Sequence, residues 1–218
     1  MKRECLEIVR GKCESCHACA LGSTRNHVVF SDGNPSTAKI VLIGEAPGET
    51  EDLTGTPFVG RAGQLLTEFL TEAGISREDD VYIINTVKCR PPENRVPTDE
   101  EKSACRKFLE AQIDIINPRA IVLCGSTALK SFVELDKKQT ISKVRGQWMN
   151  IMVDGKEYKA MTIFHPSYLL RNHSMEEGSP RRLMQEDLAN IKNEVLSDVS
   201  HTFGVPSDNI FTKQLVNV

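Results

Sequence analysis

The sequence has few aromatic residues and no long hydrophobic run. Aromatic residues make up 6% of its 218 positions, and only one is tryptophan. No window approaches the roughly 18–20 apolar residues that cross a membrane, so we expect no membrane partner. Residues 1–12 carry several charges and lack the apolar core of a signal peptide. We therefore expect a cytoplasmic protein.

Repeats, low-complexity tracts and linkers rich in proline, glycine or serine are also absent from the sequence. Their absence argues against fibrous, disordered and multi-domain architectures, while the length is sufficient for one sizeable hydrophobic core. We predict a single domain over residues 1–198. Residues 199–218 show no clear pattern and are expected to form a C-terminal tail.

The sequence also lacks a large excess of charge of either sign. The 27 basic residues stand against 30 acidic ones, which gives a net charge of −3. This balance argues mildly against a nucleic-acid partner. The charge is unevenly spread, however, because residues 137–153 contain four basic residues and no acidic residue. A basic face therefore remains possible on a net-acidic chain.

Strand-like and helix-like segments alternate along most of the chain. Apolar runs predict strands over residues 38–43, 81–85, 120–123 and 159–164, and helical spacing of apolar residues predicts helices over 63–73, 98–117, 126–133 and 181–196. This alternation is typical of an α/β fold. We expect a three-layer αβα architecture with a mainly parallel, four-stranded central sheet. Sites in such folds lie at the carboxyl ends of the strands. The corresponding loops begin at Gly44, Asn85, Cys124 and His165.

Seven cysteines are many for a protein of a reducing compartment, where disulfides are rare. Cys16 and Cys19 form a Cys-x-x-Cys pair, and Cys89 and Cys105 supply two more thiols. Four thiolates can hold a zinc ion or an iron–sulfur cluster, and the ligand type does not distinguish the two. Cys13 offers a competing pair with Cys16. The alternatives to a metal centre are buried thiols or a redox dithiol.

The strand-end loops carry further candidate residues. The GEAPG run at 44–48 is a rigid turn with exposed backbone N–H groups, but it lacks the GxGxxG and P-loop patterns of nucleotide sites. Phe58 is either a core residue or a stacking platform. His165 either begins a helix or serves as a hydrogen-bond donor or general acid or base. Leu169 and Leu170 are either core residues or an apolar wedge beside a phosphate-binding arginine.

These motifs occur together in one known family. The chain resembles the family 4 uracil-DNA glycosylases, the iron–sulfur type of bacteria and archaea, over about residues 13–195. The motifs are CHAC at 16–19, GEAPG at 44–48, PFVGRAG at 57–63, Asn85 with KCRPP at 88–92, Cys105, Arg145-Gly146 and HPSYLLR at 165–171. The resemblance implies a uracil-DNA glycosylase-like fold. It also implies an enzyme of base excision repair that flips uracil out of DNA, hydrolyses its N-glycosidic bond and leaves an abasic site.

The resemblance implies roles for individual residues around the base. His165 would donate a hydrogen bond to uracil O2, Phe58 would lie under the ring, and Asn85 would read the N3 and O4 edge. Glu45 would help to place the attacking water, as a catalytic residue with His165. The remaining implied substrate-binding residues are Ala46 and Gly48, together with Glu51, whose bulk near C5 would exclude thymine. Ala46 stands where family 1 enzymes have an aspartate.

The resemblance also implies contacts with DNA and a cofactor. Leu169 and Leu170 would fill the gap left by the flipped nucleotide. The implied phosphate contacts are Lys143, Arg145 and Arg171. The implied ligands of a structural [4Fe-4S] cluster are Cys16, Cys19, Cys89 and Cys105, with Cys13 left as an extra thiol.

The implied partner is uracil-containing DNA, double- or single-stranded, and we expect a monomer. Two alternatives are kept open. One is an iron–sulfur relative that binds DNA without glycosylase activity. The other is a redox or electron-transfer protein, which would not need Phe58, Asn85 and His165.

Overall fold

The computed structural model describes residues 1–136 and 139–197. The strands are β1 Ile40–Gly44, β2 Val81–Asn85, β3 Ala120–Cys124, β4 Trp148–Val153 and β5 Lys156–Ile163. The α-helices are α1 Lys2–Glu14, α2 Glu49–Thr54, α3 Arg61–Glu72, α4 Asp99–Ile116, α5 Ser126–Lys130, α6 Ile141–Val144, α7 Pro166–Leu169 and α8 Pro180–Val195. The predicted tail, residues 199–218, lies outside the described residues.

The strands form one sheet in the order β2-β1-β3-β5-β4. Strands β2, β1, β3 and β5 run parallel to one another, and β4 pairs antiparallel with β5. The four predicted strands are thus present, but the prediction of a four-stranded sheet is wrong by one strand. The missed strand, β4, lies at the edge of the sheet and alternates exposed with buried residues. Its apolar run is interrupted by Asn150, and Met152 is exposed, so it differs from β1, β2 and β3, which are buried at every position.

The sheet is covered on both faces, as expected for the three-layer fold. In β1, Val41 and Ile43 face a core that includes Phe108 of α4, whereas Ile40 and Leu42 face a core that includes Leu66 of α3. All four β1 side chains are at most 2% exposed. Each buried aliphatic side chain of this size contributes about 1.5–3 kcal/mol through removal from water. The two cores therefore fix which helices lie on which face.

The helix α1 is not predicted by the sequence patterns, yet it places the first cysteines. Leu6, Val9 and Cys13 form its buried face, which packs in the core that contains α4. Helix α4 itself begins with a capping box between Thr98 and Glu101 that ties the first turn together. This packing brings the segment after α1 alongside α4, which carries Cys105.

The strand order reverses at β1, since β2 lies on one side of it and β3 on the other. The loops after β1 and β3 therefore diverge and leave a crevice at the carboxyl edge of the sheet. Within the described ranges, no helix is long and apolar enough to cross a membrane.

Candidate active site and thiol cavity

A cleft of about 780 Å³ opens at the carboxyl edge of the sheet, and we call it the main cleft. Loops from four strands contribute to it, and its size is typical of small-molecule sites. Its lining residues are Glu45, Ala46, Pro47, Gly48, Glu51, Phe58, Ala62, Gly63, Asn85, Pro91, Asn94, Arg95, Gly125, Ser126, His165, Ser167 and Arg171. Every residue that the sequence places around a substrate base lies here.

Phe58 lies at the floor of the main cleft in an unusual backbone conformation. Its φ angle is 53°, in the left-handed region that non-glycine residues seldom adopt, and its side chain is 7% exposed. Two glycines make room for it. A Cβ atom on Gly44 would lie 2.6 Å from the Phe58 ring, and one on Gly63 would lie 2.0 Å from the Phe58 carbonyl carbon. The ring is therefore held in one place by its surroundings.

Asn85 ends β2 beside this ring. Its side chain is 2% exposed, and its Oδ1 is a buried acceptor without a hydrogen-bond partner in the described part of the chain. A Cβ atom on Gly44 would lie 2.3 Å from this oxygen, so glycine is needed here as well. Leaving a buried acceptor unpaired costs roughly 1–3 kcal/mol. Such an atom at a cleft is suited to accept a hydrogen bond from a ligand.

His165 follows β5 and faces Phe58 with a ring-to-ring distance of 5.7 Å. Its Nδ1 accepts a hydrogen bond from the backbone N–H of Ser167 at 3.2 Å. Nδ1 also lies 2.7 Å from the Ser167 hydroxyl, which can donate or accept. Because the backbone N–H can only donate, its contact favours the neutral tautomer with the proton on Nε2. Burial lowers the pKa of His165 below its usual 6.5, although nearby Glu45 and Glu51 oppose the shift. His165 is therefore a neutral Nε2–H donor near pH 7.

Two carboxylates complete the polar lining, and both are fixed by hydrogen bonds. Glu45 accepts a hydrogen bond from the Thr127 hydroxyl. Glu51 Oε1 accepts from the backbone N–H groups of Val59 and Gly60 at 2.9 and 2.7 Å. Glu51 therefore also orders the loop that carries the stacking candidate Phe58.

The wedge assignment needs a correction. Leu169 is 0% exposed and belongs to the core under the cleft, so it cannot enter a DNA stack from this position. Leu170 is partly buried against the same core. Tyr168 is the residue of α7 that extends outward, with 50% exposure. The helical phase of α7 directs Leu169 into the core, which the HPSYLLR motif alone does not reveal.

The basic residues assigned to phosphates fall into two groups. Arg171 is exposed and lines the main cleft, and Lys143 is exposed on α6. Arg145 instead forms an ion pair with Asp187, with side-chain exposures of 13% and 2%. Its Nε donates to Asp187 Oδ2 at 2.7 Å. This buried pair joins the chain before β4 to α8, which corrects the assignment of Arg145 to a phosphate.

A second, smaller cavity lies between α1, α4 and the loop after β2, and we call it the thiol cavity. Its lining includes the five cysteines Cys13, Cys16, Cys19, Cys89 and Cys105. All are free thiols. Among residues 1–136 and 139–197, no group of three or more His, Cys, Asp or Glu side chains meets the geometry of a metal-ion site.

The surroundings of the thiol cavity are positively charged. Lys88 is fully buried, and burial lowers its pKa to about 8 while Cys105 and Cys13 oppose that shift. Its Nζ donates to the Asn85 carbonyl oxygen at 2.8 Å. Arg25 lies 3.5 Å from Cys89 Sγ. The five sulfurs supply the donor set of a thiolate-bound cluster, and the buried Lys88 and the partly buried Arg25 complement its negative charge.

Several lining residues carried no predicted role. Asn94 and Arg95 enter the main cleft from the loop after β2, and Ser126 and Ser167 enter it from the loops after β3 and β5. Arg95 pairs with Glu101 of the α4 capping box at 2.6 Å. Each follows a strand of the parallel sheet, and Ser167 also lies within the HPSYLLR motif, so position and motif were the signals that could have found them.

Comparison with known proteins shows the family of the chain. The model of the uracil DNA glycosylase superfamily matches residues 30–189. The chain belongs to the uracil-DNA glycosylase superfamily. It is 54% identical over 192 residues to a type-4 uracil-DNA glycosylase of Thermotoga maritima, which covers 88% of this chain and 95% of the relative. It is 43% identical to the type-4 uracil-DNA glycosylase of Archaeoglobus fulgidus, over 80% of this chain and 87% of that protein.

A more distant relative is a type-5 uracil-DNA glycosylase of Pyrobaculum aerophilum, which is 30% identical over 74% of this chain and 72% of its own length. The two type-4 relatives confirm the resemblance to family 4 that the motifs carry.

Proposed function

We propose that this protein is a uracil-DNA glycosylase that hydrolyses the bond between uracil and deoxyribose in DNA, as the first step of base excision repair. The observation that carries the proposal is the unpaired, buried Oδ1 of Asn85, a residue that lines the main cleft together with Phe58 and His165. A base that supplies an N–H at this point removes an unsatisfied acceptor, and uracil has that N–H at N3.

Base recognition follows from the chemistry of one amide. Asn85 Oδ1 accepts from uracil N3–H, and its Nδ2 donates to O4. Cytosine reverses both roles, because its N3 accepts and its N4 donates. A site built on fixed hydrogen bonds rejects a mispaired ligand by about 10⁴-fold or more. Phe58 supports the ring by stacking, which contributes about 1–3 kcal/mol per base.

Bond cleavage leaves negative charge on the departing uracil. A hydrogen bond from neutral His165 Nε2–H to O2 stabilises that charge as it develops, which is worth about 3–4 kcal/mol per donor. The sugar acquires positive charge at the same time. The Glu45 and Glu51 carboxylates lower the electrostatic cost of that charge. Ala46 offers no base, and Glu45 is therefore the group that orients the attacking water.

The same placement accounts for the choice against thymine. Glu51 is held against the loop of residues 57–60 by hydrogen bonds from the N–H groups of Val59 and Gly60. With this carboxylate at the C5 edge of the base, a methyl group would collide with it. Gly48 lies so close that a Cβ atom there would be 2.8 Å from Glu51 Oε2.

DNA contacts surround the mouth of the cleft. Arg171 and Lys143 are assigned to phosphates, and Leu170 to the edge of the gap that the flipped nucleotide leaves. Since the base must leave the stack in either case, we propose that both double- and single-stranded DNA are substrates. We also propose that residues 1–198 act as one domain in a monomer.

We assign the thiol cavity to a [4Fe-4S] cluster held by Cys16, Cys19, Cys89 and Cys105. A cluster with four cysteine ligands would cross-link the segment after α1 to the loop after β2 and to α4. The support is the donor set together with the buried Lys88 and the partly buried Arg25. We assign the cluster a structural role. It would stabilise the loop after β2, which also supplies Asn94 and Arg95 to the main cleft.

The direct test is excision from an oligonucleotide with one uracil, followed by alkali cleavage at abasic sites. We expect a single cleaved product from uracil DNA and none from the matched thymine oligonucleotide. Binding to both oligonucleotides without any cleaved product would contradict the proposal and favour a relative that only binds DNA.

A further inference from the structure

The loop that carries Phe58 is held from the side opposite the main cleft by one arginine. Arg77 lies in the segment between α3 and β2 and is 17% exposed. Its Nη2 donates to the Pro57 carbonyl oxygen at 2.8 Å, and its Nη1 donates to the Phe58 carbonyl oxygen at 2.9 Å. These two carbonyls flank the residue with the φ angle of 53°. Arg77 therefore stabilises a backbone conformation that is otherwise unfavourable.

All five N–H groups of Arg77 have partners. Besides the two carbonyls, Nη1 donates to Thr67 Oγ1 of α3 at 2.9 Å, and both Nε and Nη2 donate to Asp32 Oδ2 at 3.0 and 2.9 Å. A planar guanidinium with five donors can satisfy this arrangement, whereas a lysine ammonium has three donors on one atom. The identity of the residue, and not only its charge, is therefore important.

Asp32 is itself fixed to the strand that ends at Asn85. It forms an antiparallel bridge with Ile83 of β2 through two backbone hydrogen bonds of 3.0 and 2.8 Å. The next residue, Gly33, has a φ angle of +100°, and a Cβ atom there would lie 2.1 Å from the Val81 carbonyl oxygen. A glycine is thus required for Asp32 to reach this position.

We infer that Arg77 is a positioning residue for base excision: with Asp32 it ties the Phe58 loop to β2 and so fixes the distance between the stacking ring and Asn85. The inference deepens the proposed function and rests on it for its catalytic consequence. Glu51 holds the same loop from the cleft side through the N–H groups of Val59 and Gly60. The loop therefore has its N–H groups bound on one side and its carbonyl groups bound on the other.

The test compares Arg77→Met and Arg77→Lys with Arg119→Met as a matched control. Arg119 also donates to a carbonyl, that of Val195, but it precedes β3 at the opposite edge of the sheet. We expect single-turnover uracil excision to slow by about 10- to 100-fold in Arg77→Met, since small displacements of a reacting group have effects of that size. DNA binding should stay within about twofold, because Arg77 lies behind the loop.

Arg77→Lys and one further variant, Asp32→Asn, separate positioning from folding. Arg77→Lys keeps the charge but loses the fork, and we expect it to stay well below the wild-type rate. Asp32→Asn keeps an oxygen that accepts from Arg77, and we expect it to stay closer to the wild-type rate than either Arg77 variant. Arg119→Met should excise uracil at the wild-type rate.

Hydrogen exchange of the full chain gives a readout that needs no activity. In both Arg77 variants the amides of residues 58–60 should exchange faster, while β3 and α4 keep their protection. Unchanged exchange in this loop would overturn the inference, and so would wild-type excision rates in both Arg77 variants. Absence of excision by the wild-type protein would contradict the proposed function alone, because the exchange measurement still decides whether Arg77 holds the loop.

Discussion

The main cleft and the thiol cavity meet at the loop after β2, yet they are organised differently. In the main cleft the protein alone fixes the key groups: glycines at 44 and 63 make room for Phe58, and a backbone N–H orients His165. In the thiol cavity, five cysteines share one small space beside the buried Lys88. The main cleft is preorganised for reversible ligand binding, whereas the thiol cavity contains sulfur donors suited to a permanent metal centre.

This difference gives opposite expectations for substitutions in the two regions. Changes in the main cleft should lower excision while leaving iron content and stability intact. Changes in the thiol cavity should remove iron and lower stability, and excision should fall only as a consequence.

The largest effect is expected for Asn85→Asp. A carboxylate cannot donate to uracil O4, so single-turnover excision of uracil should fall by about 10³-fold or more. The variant should also excise cytosine slightly, because cytosine N4 can donate to the carboxylate. Asn150→Asp, on the exposed part of β4, is the control. Wild-type excision of uracil by Asn85→Asp would show that Asn85 does not read the base.

His165→Ala should come next, with a loss of about 10²- to 10³-fold in excision and little change in base preference, since O2 is common to uracil and cytosine. The wild-type pH profile supplies a second check. Protonation of Nδ1 would break its bond with the Ser167 N–H, and burial lowers the pKa. The acid limb of the rate profile should therefore have its midpoint below pH 6.5. A midpoint above pH 6.5 would contradict the neutral-donor assignment.

Cys89→Ala tests the other region. We expect loss of the broad visible absorption of the protein, iron content well below the expected four per chain, and a lower Tm. Cys13→Ala is the matched variant from the same cavity and should keep its iron. A colourless, active wild-type protein with one zinc ion would refute the cluster, and iron loss in Cys13→Ala would mean that Cys13 is a ligand.

The smallest effect concerns phosphate contacts. DNA affinity should fall steeply with salt in spite of the net charge of −3. Lys143→Ala should weaken binding to any sequence and reduce the salt slope by about one. Arg145→Ala should instead lower the Tm, because it leaves Asp187 buried without its partner. An unchanged slope in Lys143→Ala would place the DNA face elsewhere.

The sequence predicts the parallel part of the sheet well, because strands buried on both faces are continuous apolar runs. It also brings the residues of the strand-end loops to one edge, since all parallel strands end there. Edge strand β4 and helix α1 escape prediction. Both bury one face only: the apolar pattern of α1 is diluted by exposed polar residues, and β4 exposes Asn150 and Met152.

Contacts between distant segments are the features that no local pattern reveals. The pairing of Arg145 with Asp187 spans 42 residues, and that of Arg77 with Asp32 spans 45. The same limit explains Leu169, which is a wedge by its motif and a core residue by its helical phase. The motifs therefore indicate the candidate site, and tertiary contacts show which of its residues line the main cleft.

The most direct test of the account is a crystal structure of the protein with free uracil. We expect the base to lie on the Phe58 ring in the main cleft, with Asn85 Oδ1 bonded to N3 and His165 Nε2 bonded to O2. Uracil bound outside this cleft, or bound in it with Asn85 Oδ1 still unpaired, would contradict the central claim.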